Sequence, residues 1–99
     1  MGCQVYQKQN YKIYRAGNNY IVHNSNYPFK EKHTHLRNFN AAKKIISLAI
    51  SKRIPRDLSD YLLTSLLRIS DDENYEHHLS ELLEVRTTKG KKLRYVNSH

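Results

Sequence analysis

A chain of 99 residues, 38% of them hydrophobic, with a formal net charge of +8, has room for one domain with a modest core. Its single cysteine, Cys3, excludes an intrachain disulfide and a CxxC metal knuckle, and no apolar run approaches the roughly 18 residues of a membrane span. The opening "MGCQVYQKQN" has no signal-peptide apolar region and places Tyr6 where a myristoylation signal wants Ser or Thr, so a cytoplasmic protein without membrane attachment is expected.

Residues 3–8 and 11–15 read as short strands, because Val5, Tyr11, Ile13 and Tyr14 are β-formers set between polar residues. "AGNN" at 16–19 is turn chemistry, since Gly and Asn accept positive φ at low cost, and "YIVHN" at 20–24 returns as the partner strand. Residues 1–24 are therefore expected to be a β-hairpin region. Residues 25–37 have no sustained period and contain Pro28. They read as a basic, histidine-containing loop with a brief extended piece ending at His35.

Three helices are expected over 38–86. Asn38 or Asn40 offers an N-cap, and Ala42, Ile45, Ile46, Ala49 and Ile50 recur at helical spacing, which predicts helix one from about Phe39 to Lys52. Pro55 suits the first turn of helix two, whose many apolar residues (Leu58, Tyr61, Leu62, Leu63, Leu66, Leu67, Ile69) predict packing on two sides. "SDDE" at 70–73 reads as a capping box from Ser70 to Glu73, and helix three should end near Val85 or Arg86. Residues 87–99 form a basic turn and tail, with 93–96 a candidate last strand. The fold class is thus α+β: a small antiparallel N-terminal hairpin, with or without a C-terminal strand, on a three-helix bundle whose core centres on Ile45, Ile46, Leu62, Leu66, Leu79 and Leu82.

The charge is segregated along the chain. Residues 1–56 hold eleven Lys/Arg against one acid, Glu31; residues 57–85 hold one Arg against eight acids; residues 86–99 hold five basic residues and no acid. Such blocks create a field that draws polyanions to one part of the surface. Lys, Asn, Ile and Tyr supply 34 residues, and since all four have A/T-rich codons an AT-rich bacterial or phage source is expected.

Basic residues interleaved with tyrosines point to a binding module for DNA or RNA. The expected contacts are Lys12, Tyr14, Arg15, Lys32, Arg37, Lys43, Lys44 and Arg53, with phosphate attraction dominating and aromatic rings available for stacking. Two other readings stand beside it. One is a regulator or inhibitor that meets a protein partner, or a second copy of itself, through charge complementarity. The other is a metal-free ribonuclease in which His33 and His35 move protons and Arg37 stabilises the phosphorane. The structural alternative for the histidines is that one packs on Phe29 or Phe39 and bonds a backbone carbonyl. No GxGxxG, P-loop, GxSxG or HExxH occurs, so no cofactor is expected; His33 and His35 without a spaced ligand pair do not make a metal motif. A binding role outweighs an enzymatic one on these grounds.

Overall fold

The computed structural model describes residues 3–56 and 59–98, with side-chain surroundings as far as Val85. Four strands, β1 (Cys3–Lys8), β2 (Tyr11–Ala16), β3 (Asn19–Asn24) and β4 (His33–Leu36), form an antiparallel meander in chain order. Helices α1 (Phe39–Ser51), α2 (Asp60–Ile69) and α3 (Glu73–Ser98) follow. The fold is α+β, as expected, with the hairpin packed against helices. None of the described helices is long and apolar enough to cross a membrane.

The β2–β3 hairpin turns at Gly17, whose φ of 62° an L-residue adopts only at a cost. Its register pairs Ile13 with Val22 and Tyr11 with Asn24, so the alternation sends Tyr11, Ile13, Val22 and Asn24 to one face and Lys12, Tyr14, Ile21 and His23 to the other. The loop expected over 25–37 ends early. His33–Leu36 is β4, paired with β3 so that Val22 meets Thr34 and His23 meets His33. "HTHL" alternates polar with core-facing residues, and four residues behind a proline-containing turn are too few for that period to stand out in the sequence.

Helix α1 begins where Asn38 Oδ1 accepts from the backbone N–H groups of Asn40 and Ala41. It ends at Lys52, which takes the left-handed conformation. Helix α2 starts later than expected. Pro55 is buried in the link, and the cap is Ser59, whose hydroxyl accepts from the Leu62 N–H, with Asp60 in the favourable first turn. Leu58, expected in this helix from its sequence, lies outside the described residues.

The capping box expected for α3 does not form, and its N-cap lies two residues later. Ser70 is required to end α2, its N–H bonding the Leu66 carbonyl, and its hydroxyl accepts from Asp72 N–H. Asp72 then caps α3 by accepting from Tyr75 N–H at 2.8 Å. The helix runs through the expected turn at 87–92 and the candidate strand at 93–96 to Ser98. No proline interrupts that stretch, and the single Gly90 costs only about 1 kcal/mol in a helix interior, too little to end it.

Helices α1 and α2 pack on the Ile13/Val22 face of the sheet, and α3 packs chiefly on α2. The core joins Ile13, Val22 and Leu36 to Ala42, Ile45, Ile46, Leu63, Leu66, Ile69, Tyr75 and Leu79. Leu82 sits at its margin, half-buried, and Leu62 keeps 9% exposure. At one end of the sheet two polar side chains replace apolar packing. The Asn24 amide, 0% exposed, receives hydrogen bonds from Asn10 Nδ2 and Asn26 N and donates to the Ile69 carbonyl and to Asp71 Oδ2. Lys32 Nζ donates to the Ser70 carbonyl at 2.8 Å and pairs with Glu76 at 3.0 Å.

Truncating the fully buried Leu66 to Ala should cost more than the same change at the rim residue Leu62, both within about 2–5 kcal/mol, as read from urea denaturation. Asn24→Ala should cost about 2 kcal/mol or more despite removing little apolar area, because it leaves the buried Ile69 carbonyl and three partly buried groups without their partner. A loss under about 0.5 kcal/mol would show that the amide does not carry that junction.

Candidate functional site

The sheet divides the expected binding residues between two surfaces. Lys12 and Tyr14 alternate onto the face opposite the helices, while α1, with Lys43 and Lys44, lies beneath the other face. Lys43 and Lys44 therefore do not form one patch with Lys12. Arg53 follows the C-terminal end of α1, some 20 Å along the helix from its start. Lys32 is held internally by the Ser70 carbonyl and Glu76, with its ammonium 5.5 Å from the Tyr27 ring centre; it braces the β3–β4 loop and is not directed at a ligand.

A basic cluster forms at the end of the sheet where α1 begins. The cross-strand row Arg15–Tyr20–Leu36 lies at this end, and Arg37 and Phe39 continue directly from it. Phe39 packs against Tyr20 with ring centres 5.5 Å apart and edge-on against Tyr6 at 6.1 Å. Lys43, one helical turn on, holds its ammonium 5.0 Å from the Phe39 centroid. Arg15, Val5, Tyr20 and Phe39 line a shallow groove of about 220 Å³. Glu31, the one acid between residues 3 and 56, belongs to the β3–β4 loop at the opposite end of those strands. The groove thus combines aromatic walls with the Arg15 cation, with Lys43 against one wall and no neighbouring carboxylate from this half of the chain.

The helix-free face carries a ring cluster. Phe29 folds back from the β3–β4 loop, edge-on to Tyr14 at 5.5 Å, tilted over His23 at 5.0 Å and stacked on His33 at 5.9 Å with planes 11° apart. This is the packing on Phe29 expected of one of the histidines. His23, only 5% exposed, bonds the Pro28 carbonyl through Nε2 at 3.1 Å. His33 and His35 meet edge to face at 5.3 Å. Burial, followed by the fields of His35, His23 and Arg68, holds the His33 imidazole below the usual histidine range, and Nδ1 of the ring is buried without a partner. No group of three or more His, Cys, Asp or Glu among the described residues is placed to hold a metal.

The cation acting on His33 is Arg68 of α2, where proximity along the chain points to Arg37. Arg68, Tyr61 and Thr64 line a second depression with His35, Asp60 and Ser65. Nothing in the local sequence of α2 points there, because the depression exists only once β4 lies beside that helix. Phe29 and Phe39 are legible as aromatic neighbours of basic residues, but not as the side chains around which two separate clusters form. Compared with models of protein families, with curated proteins and with solved structures, the chain matches none of them.

Because the folded state holds His33 neutral more strongly than the unfolded chain, unfolded molecules bind more protons as pH falls below the ordinary histidine value of about 6.5. The stability contribution of this site is intact above that pH and declines as pH falls toward the lowered folded-state value. Chemical denaturation between about pH 7.5 and 5 should show His33→Gln with a flatter slope than the unmodified protein. Parallel slopes would assign the pH dependence to other groups.

Proposed function

We propose that the protein is a nucleic-acid-binding module whose interface is the basic end of the sheet. Arg15, Arg37 and Lys43 contact phosphates, Lys44 extends the cationic surface along the adjoining flank of α1, and the Tyr20–Phe39 groove receives a base or sugar. The observation that carries this reading is a groove walled by Tyr20 and Phe39 and lined by Arg15, with the Lys43 ammonium against the Phe39 ring and Glu31 at the other end of the strands. Phosphate neutralisation by clustered cations supplies most sequence-independent affinity, and aromatic rings accept any base face. Lys12 and Tyr14, on the other face, fall outside this interface.

The test is fluorescence anisotropy with labelled single-stranded and duplex DNA and RNA across about 50–300 mM salt. Three phosphate contacts, at Arg15, Arg37 and Lys43, give a log–log slope of about −2 on single strands and somewhat steeper on duplex. Arg15→Ala and Lys43→Ala should each weaken binding and reduce the slope by about one, while Lys12→Ala leaves both unchanged. Affinity indifferent to salt, or lost on Lys12→Ala alone, would refute this interface.

A further inference from the structure

A second place in the molecule has the chemistry of an anion site and is separate from the basic end. Tyr61, Thr64, Ser65 and Arg68 recur at helical spacing on α2 and form one stripe beside β4, the edge strand of the sheet. With His35 and Asp60 they enclose a depression of about 260 Å³, smaller than the 300–1,000 Å³ usual for drug-sized ligands and suited to a compact group. Ser65 in this lining also accepts a buried hydrogen bond from the Thr34 hydroxyl of β4 at 3.3 Å.

Arg68 is the single basic residue in a stretch that holds eight acids, residues 57–85, yet among the described residues it forms no ion pair. Its guanidinium offers five donors in a fork that matches phosphate oxygens. His35 is exposed beside it, and Tyr61 and Thr64 add hydroxyl donors to the wall. His33 stands 5.3 Å from His35, measured between ring centres, and the field of His35 disfavours a charge on the His33 ring.

We propose that this depression is a phosphate-binding site, in which Arg68 and His35 hold the phosphate group and Tyr61 and Thr64 complete its hydrogen bonds. Asp60 also lines the depression, and a proton on the His35 imidazole favours an anion there. The groups that set this dependence are His35 and His33 on β4, His23 on β3, and Asp60, Tyr61 and Arg68 on α2, with the Tyr14 and Phe29 rings packed beside the histidines. Binding therefore tightens as the imidazoles gain protons. The ligand chemistry is the same whether the phosphate is free or belongs to the end of a nucleic-acid strand. The site does not rest on the interface at Arg15 and Lys43.

The test uses sulfate as the first probe, because it remains doubly charged throughout the histidine range and so reports the protein's titration alone. Sulfate is titrated into the full chain at constant ionic strength, with chloride as control, and followed by NMR at the imidazole and Arg68 side-chain resonances. Saturable shifts at His35, Arg68 and Tyr61 are expected, with affinity rising as pH falls from about 8 to about 5.5. Arg68→Gln should weaken binding about tenfold or more, as should His35→Asn at low pH; both residues are exposed, so both variants should keep a folded spectrum. The Arg15→Ala/Lys43→Ala double variant should bind sulfate unchanged, which separates this site from the basic end. Competition by inorganic phosphate, or by a 5′-phosphorylated dinucleotide and not its unphosphorylated counterpart, identifies the source, and either supports the site. Competition by neither, shifts matched by chloride, binding indifferent to pH, or affinity unchanged in Arg68→Gln would overturn it.

Discussion

The arrangement of the whole domain depends on how the C-terminus of α2 is closed. A helix leaves its last carbonyls without intrahelical partners, and here β3 and the β3–β4 loop supply them: Asn24 donates to the Ile69 carbonyl and Lys32 to the Ser70 carbonyl. The Asn24 amide has two donor and two acceptor positions, and all four are used, tying the β1–β2 turn, the β3–β4 loop, the end of α2 and the approach to α3 into one junction. A buried amide satisfied in this way specifies a geometry that apolar packing alone leaves open.

That junction also joins the two electrostatic halves of the chain. Lys32 comes from the basic segment and Glu76 from the acidic one, and their ion pair sits at the positive end of the α3 dipole, where a carboxylate is favoured. A second tie runs from the Tyr75 hydroxyl of α3 to the Arg53 carbonyl of the link at 2.7 Å. Tyr75 and Tyr11 are both buried deeply enough that desolvation raises their phenols to about 12, so each stays neutral across the working pH range. With α3 fixed in this way, acidic side chains are kept to the helical layer and the basic end of the sheet faces solvent beside the start of α1.

Fixing α2 against β4 has a further consequence for the chemistry of the surface. The same contact that buries Thr34 against Ser65 brings His35 alongside the Tyr61–Arg68 stripe. Meanwhile the opposite face of the sheet is free of described helices and is shielded instead by Phe29, which covers His23 and stacks on His33. The three histidines of the sheet are therefore divided in role by position: His23 is packed and bonded to a carbonyl, His33 is half-buried with its imidazole held below the usual histidine range, and His35 reaches solvent.

Elements whose signals are local are legible in the amino-acid sequence. The hairpin follows from alternation and from a turn that requires positive φ, and α1 follows from its apolar spacing and the Asn38 cap, because backbone sterics and nearest-neighbour hydrogen bonds decide both. Where a residue has two possible partners, its chemistry alone leaves the choice open. Ser70 is fit to cap α3 but is needed to end α2, and Pro55 is fit to begin a helix but is buried in a link. The C-terminal stretch reads as turn and strand because Gly90 and "LRYV" each favour those states over a few residues, while helix propagation from a well-capped start is cooperative.

The same distinction governs the candidate sites. The amino-acid sequence by itself determined the charge blocks, the mix of aromatic and basic residues, the histidine pair and the alternation that sends Lys12 and Tyr14 to one face. Only the tertiary structure decided that Lys12 and Lys43 lie on opposite sides of the sheet, that Lys32 is an internal brace, and that Arg68 stands beside His35. Composition and period fix what a residue is and which way its side chain leaves the backbone. Which residues meet across long separations in the chain depends on how the helices cover the sheet, and here that was settled by the buried junction at Asn24 and Lys32.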